Sequence, residues 1–216
     1  MEVSGPLRAV RSWEEAIPDL DADSGVLEAM LLTVGERGYA NTTVREVAER
    51  ARITQERFHR RFGTKEACYA GAYEEAAERL ADELLEACEG AASWRDGFQA
   101  ALARLLRFVA EQPLTAKAVL LEVRAARGQA WTKHQELSDR LIAALDGARD
   151  EAGARPSATP MTTGFVAGAI EESLCIEIAA GRAEAVERLL PDLTRLAFLQ
   201  LFGEDNVFDA DFERRA

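Results

Sequence analysis

The chain has 216 residues, enough for one or two domains, and 48% of them are hydrophobic, which is ample for a buried core. Its net charge of −12 excludes a protein that coats nucleic acid over its whole surface, though not one with a local basic face. Three cysteines (Cys68, Cys88, Cys175) are odd in number and far apart, so they fit reduced cytosolic thiols and not a disulfide framework; no CxxC or HExxH spacing offers a zinc site.

Residues 1–23 read as an N-terminal extension with Pro6, Pro18 and an acidic end, without the apolar stretch of a signal peptide. A short helix around 8–16 is expected within it. Arg8 and Arg11 suit either a DNA-touching arm or a solvated tail. A helix starts at Ser24 as N-cap, with Val26, Leu27, Met30, Leu31 and Val34 on one face. Gly35 and Gly38 weaken and end it. Thr43 and Glu46 then form a capping-box pattern for a helix that buries Val44, Val47, Ala48 and Ala51. The turn is Ala51-Arg52-Ile53. Thr54 caps a second short helix that buries Phe58 and Phe62, Gly63 ends it, and Thr64 caps a long helix to about Glu89.

Further helices are expected over 94–111, 114–127, 129–152, 161–180 and 183–202, with a loop at 153–160 and a break at Pro191. Glu171, Glu172 and Glu177 interrupt the most apolar stretch, 161–180, so it reads as a buried helix and not a membrane span. Residues 204–216 form an acidic tail. Ala, Leu, Glu and Arg dominate, and no run of alternating β-branched residues appears. The class is all-α.

Between Thr43 and Lys65 the charge balance reverses. Seven basic residues (Arg45, Arg50, Arg52, Arg57, Arg60, Arg61, Lys65) face three acidic ones (Glu46, Glu49, Glu56), so this segment is +4 and the remainder −16. The helical registry leaves Thr54, Gln55, Glu56, Arg57, His59, Arg60 and Arg61 off the core. Two short helices around a tight turn, the second basic on its outer face, make a helix-turn-helix whose second helix enters the major groove. Gln55 and Arg57 suit base edges, Gln pairing with adenine and Arg with guanine. Thr43, His59, Arg60 and Lys65 suit phosphates.

These residues carry a resemblance. Gly38-Tyr39-Ala40-Asn41-Thr42-Thr43-Val44-Arg45-Glu46-Val47-Ala48, then Ile53-Thr54, then Phe58-His59-Arg60-Arg61-Phe62-Gly63-Thr64-Lys65-Glu66 resemble the N-terminal domain of the tetracycline-repressor (TetR) family of bacterial transcription regulators. The resemblance implies an N-terminal three-helix DNA-binding domain (24–66) and a C-terminal helical domain (67–203) for effector binding and dimerisation. It implies DNA contacts from Thr43, Arg45, Thr54, Gln55, Glu56, Arg57, His59, Arg60 and Lys65. Three positions depart from the pattern: tyrosine is usual where His59 stands, glycine where Arg52 stands, and a small residue where Glu56 stands. Arg52 is then expected in a left-handed conformation. Glu56 either reads a cytosine amino group or pairs with a neighbouring arginine.

By the same resemblance, a small apolar effector sits among the fourth to seventh helices. Tyr73, Trp94, Phe98, Phe108, Trp131, His134 and Phe165 are the candidate walls, with core packing as the other reading of each aromatic. The last two helices are expected to pair in a homodimer through Gly164, Gly168, Leu189, Leu193, Leu196 and Ala197. The implied function is a cytoplasmic, nucleoid-associated repressor that releases a palindromic double-stranded DNA operator on binding its effector. A regulator governed by a protein partner, with no small-molecule pocket, is the alternative. No cofactor is implied. No G-x-S-x-G, P-loop or GxGxxG motif points to catalysis, and Cys68 and His59 lack an orienting acid.

Overall fold

Three threonines start three helices by the same chemistry. Thr43 opens α2 (Val44–Arg50), its hydroxyl accepting the Glu46 N–H while the Glu46 side chain accepts the Thr43 N–H at 3.0 Å. Thr54 opens α3 (Gln55–Phe62) and Thr64 opens α4 (Lys65–Glu89); each hydroxyl accepts the amide three residues on, at 3.1 Å. The computed structural model describes the backbone of residues 20–151 and 158–203. The expected 8–16 helix and the acidic tail lie outside them.

Helix α1 (Leu20–Arg37) is already formed at Leu20, so Ser24 lies within it and does not cap it. It also runs through Gly35. The real stop is Gly38, whose φ of +81° no residue with a Cβ adopts cheaply. Gly35 serves packing instead. A Cβ there would lie 2.2 Å from the Leu114 carbonyl oxygen, so the α1 backbone rests directly on that of the next layer.

The turn between α2 and α3 holds Arg52 at φ +56°, as expected where glycine is absent. The left-handed conformation costs a side-chain residue about 1–2 kcal/mol, while glycine loses about 0.5–1 kcal/mol more chain entropy on folding. The net favours glycine. Arg52→Gly is expected to raise stability by about 0.5–1 kcal/mol, read as a higher urea midpoint with unchanged slope.

Helices α5 (Trp94–Glu111), α8 (Gly128–Glu151) and α9 (Pro160–Ala179) follow closely where the periodicity puts them. The segment expected as one helix over 114–127 is three. α6 (Pro113–Ala116) passes into a π-helical stretch, Lys117–Glu122, and then α7 (Val123–Ala126). The widened turn turns carbonyls sideways. Ala118 accepts the Tyr69 hydroxyl at 2.7 Å, and Leu120 accepts the Cys175 thiol at 3.5 Å. A 3₁₀ segment (Ala183–Leu189) precedes α10 (Leu190–Phe202), where Pro191 occupies the first turn and needs no amide bond.

Two apolar clusters fill the interior. One joins Met30, Val34, Val47 and Phe58 of α1–α3 to Tyr69 and Tyr73 of α4 and Val119 and Val123 of the π-helical stretch and α7. The other packs Leu102, Leu106 and Val109 of α5 against Leu174 of α9, Val186, and Leu201 of α10. Helix α4 touches both, running from the α3 junction to the side of α5 and α8. No helix among the described residues is long and apolar enough to cross a membrane.

Candidate nucleic-acid interface and effector cavity

The amphipathic spacing of α3 has a direct consequence. Phe58 is fully buried, and Phe62 leans on it with ring centroids 5.4 Å apart. That anchors the inner face, and Gln55, Glu56, Arg57, His59, Arg60 and Arg61 all stand exposed on the outer one, with Thr54 at the N-terminus. Thr43 and Arg45 are exposed on α2 beside it. Of the two expectations for Glu56, the ion pair is the one present: its carboxylate accepts from Arg60 at 2.9 Å. Arg45 pairs with Glu49 at 3.5 Å, and Arg50 with Glu36. Exposed pairs of this kind are worth about 0–1 kcal/mol, so a phosphate competes readily for the arginines.

Lys65 is built in differently from the other cations. Its ammonium donates to the carbonyls of Tyr39 (2.9 Å) and Thr42 (3.0 Å) and lies 4.2 Å from the centre of the Tyr39 ring. It ties the start of α4 to the α1–α2 loop. Two charge-assisted bonds and a cation–π contact, of which water recovers part, lead us to expect a loss of about 2 kcal/mol for Lys65→Ala in urea denaturation.

The candidate pocket residues do not converge. Trp94 and Phe98 stack at 5.4 Å and do line a cavity of about 710 Å³, closed by Leu84, Leu85 and Cys88 of α4, Ala101 and Leu102 of α5, and Leu141 and Leu145 of α8. Phe108 is buried in the second core cluster, and Phe165 points outward, 61% exposed. Tyr73 and His134, both buried, form a separate group with the half-buried Trp131. The Tyr73 hydroxyl meets His134 Nδ1 at 3.0 Å, Trp131 stacks on the imidazole at 5.0 Å, and His134 Nε2 lies 3.4 Å from Glu171. Arg124 completes the group with bonds to Glu171 (2.8 Å) and Glu172 (2.9 Å). Burial works against the Glu171 charge, yet the hydrogen bonds from His134 and Arg124 hold its carboxyl below the usual range. This network joins α4, α7, α8 and α9, and none of its residues lines the 710 Å³ cavity.

Sequence reasoning missed most of the cavity wall. Leu84, Leu85 and Cys88 are ordinary helix residues until α5 and α8 pack opposite them. The Cys88 thiol, on the cavity wall, bonds the carbonyls of Leu84 and Gly97, and partial burial raises its pKa.

Of the expected dimer residues, Leu193 and Ala197 are buried in the chain's own second cluster, whereas Gly168 is exposed on α9 and Gly164 half-buried. Leu189 and Leu196 are half-buried. Among the described residues, a Cβ at Gly164 or Gly168 would meet nothing within 4 Å.

The family model for bacterial regulatory proteins of the tetR family matches residues 27–72, the stretch that holds α2, α3 and the start of α4. The match is confined to this N-terminal segment. The fold agrees over most of the chain. The fatty acid degradation regulator FadR of Bacillus halodurans superposes with a TM-score of 0.74 at 15% identity, covering 82% of this chain and 94% of its own. FadR of Bacillus subtilis, solved in complex with stearoyl-CoA, gives 0.73 at 16% identity, covering 83% and 98%. A TetR-like transcriptional regulator of Rhodococcus sp. RHA1 gives 0.67 at 20%, covering 85% and 97%. No curated protein matches at the level of sequence. The segment that holds the helix-turn-helix thus matches bacterial regulatory proteins of the tetR family, and the solved structures share the fold of the rest.

Proposed function

We propose that the chain is a ligand-responsive repressor that binds a palindromic operator as a homodimer. The observation that carries the reading is the apolar cavity of about 710 Å³ against the distal half of α4, whose proximal end holds the recognition helix. That volume is within the roughly 300–1,000 Å³ of small-molecule sites, and it favours a small apolar effector over control by a protein partner alone. The B. subtilis FadR complex, with an acyl thioester bound in the same fold, supports an effector of this kind. Gln55 and Arg57 read base edges, and Thr43, Arg45, Thr54, His59 and Arg60 hold phosphates around them. The Glu56–Arg60 pair opens when Arg60 turns to the DNA. The effector wedges α4 against α5 and α8, shifts α3, and acts only through unequal affinity for the two states.

The dimer places two α3 helices in successive major grooves about 34 Å apart. What supports it is the outer face of α9. Met161 (83% exposed), Phe165 and Ile176 (55%) stand in solvent beside two glycines. Each glycine costs its helix up to about 1 kcal/mol, and a Cβ at either would meet nothing within 4 Å among the described residues. Close approach of a second α9 is a reason for both. Phe165→Glu is expected to yield a folded monomer in sedimentation; a dimer of unchanged affinity contradicts this interface.

Trp94 in the cavity wall supplies the effector test. Acyl-chain and aromatic compounds are screened for quenching of its fluorescence, with Trp94→Phe as control. An effector at a hundred times its Kd is expected to stabilise the fold by about 2.7 kcal/mol and to release the promoter next to the protein's own gene. A compound that saturates the cavity and leaves DNA affinity unchanged sinks the ligand-responsive reading.

A further inference from the structure

One nitrogen of the His59 ring is already committed. Nδ1 lies 2.9 Å from the Gly63 carbonyl oxygen. A carbonyl only accepts, so Nδ1 carries the proton. In the neutral ring Nε2 is then a bare acceptor, and a phosphate oxygen, also an acceptor, cannot bond it. Protonation of Nε2 turns it into a donor and adds a positive charge at the exposed face of α3, beside Arg60 and Arg61 and next to the α4 N-terminus. We propose that His59 is a phosphate ligand that works only as the imidazolium, so that DNA binding takes up one proton at each half-site. The proposal rests on the DNA-facing role of α3.

The charged groups around His59 fit this coupling. On α3, the Glu56 carboxylate is held by Arg60, and the Arg61 guanidinium lies 5.7 Å from the Phe62 ring centre. From α2, Arg45 and Glu49 pair with each other, and Glu46 is taken by Thr43 and by Arg37 at 3.1 Å. From α4, Lys65 is held on the carbonyls of Tyr39 and Thr42, and Glu66 is exposed. Among the described residues, no carboxylate is bonded to His59 itself. The anion that stabilises its charged form is the one DNA brings, and that is why binding and protonation are linked.

The experiment needs no operator, because a phosphate contact does not depend on sequence. The full chain is titrated with a labelled random-sequence duplex at low salt, from about pH 6 to pH 8.5. Affinity is expected to fall about tenfold per bound subunit as the pH rises, the worth of one charge-assisted hydrogen bond. Calorimetry in buffers of different ionisation enthalpy is expected to show proton uptake. His59→Gln abolishes both effects. His59→Tyr, whose hydroxyl donates without titrating in this range, keeps the affinity and loses the pH slope. The chain has one other histidine, His134, which is buried. A pH slope that survives in His59→Gln overturns the proposal. So does an affinity that rises with pH, because Nε2 is then accepting a base amino group. Absence of DNA binding at every pH overturns the role of α3 on which the proposal stands, whereas pH-independent binding overturns the proposal alone.

Discussion

Gly35→Ala is expected to destabilise the protein by about 3 kcal/mol, at the upper end for overpacking. That is a fall of about 6–12 °C in Tm for a chain of this length. Helix propensity alone argues the reverse, since alanine in a helix interior is worth about 1 kcal/mol over glycine. The contact decides the sign. A Cβ at position 35 would sit 2.2 Å from the Leu114 carbonyl oxygen, 2.7 Å from its carbon and 2.9 Å from its Cα. All three are backbone atoms of a helical segment, with no rotamer to change, so α1 and α6 must part. Because α1 is braced on α4 and carries the loop to α2, the same substitution is expected to alter DNA affinity without touching α3. A stabilised Gly35→Ala protein would falsify the close approach.

Gly35 shows where the sequence stops being legible. Caps are local chemistry, a hydroxyl and an amide three residues apart, so Thr43, Thr54 and Thr64 could be read directly, and with them the registry that buries Phe58. The left-handed Arg52 was legible for the same reason. Long-range partners are not. The segment 113–126 has an ordinary helical pattern, and its π-helical stretch goes with carbonyls that bond Tyr69, 49 residues before Ala118, and Cys175, 55 residues after Leu120. Lys65 reads as a phosphate ligand by charge, yet two loop carbonyls hold its ammonium. Trp94 and Phe98 share their i, i+4 spacing with Tyr69 and Tyr73, but one pair walls a cavity and the other is sealed in the core. What packs opposite separates the two cases: Tyr39, Ala118 and His134 close over the tyrosines, whereas Leu141 and Leu145 of α8 face Trp94 and Phe98 across the cavity.

Glu122→Ala is expected to cost about 2 kcal/mol at one identifiable bond. The Glu122 carboxylate accepts the Tyr39 N–H at 2.8 Å, across 83 residues. Tyr39 is a junction. Its carbonyl holds Lys65, its ring lies under the Lys65 ammonium and 5.0 Å from the Tyr69 ring, and its amide reaches back to the end of the π-helical stretch. Glycine at position 38, immediately before, leaves room for the carboxylate: a Cβ there would lie 3.4 Å from a Glu122 oxygen. With alanine at 122 the nearly buried amide loses a charged acceptor and gains none. Hydrogen exchange of the Tyr39 amide is expected to speed up about thirtyfold, the equivalent of that free energy. Glu122→Gln, which keeps an acceptor without the charge, is expected to recover about half of the loss. DNA affinity should shift with the exchange rate across the three proteins, although position 122 lies outside α3, because the same bond fixes the loop that leads into α2 and, through Lys65, the start of α4. Unchanged Tyr39 exchange in Glu122→Ala would mean that the loop is held by Lys65 alone, and that the π-helical stretch does not govern the DNA-binding helices through this contact.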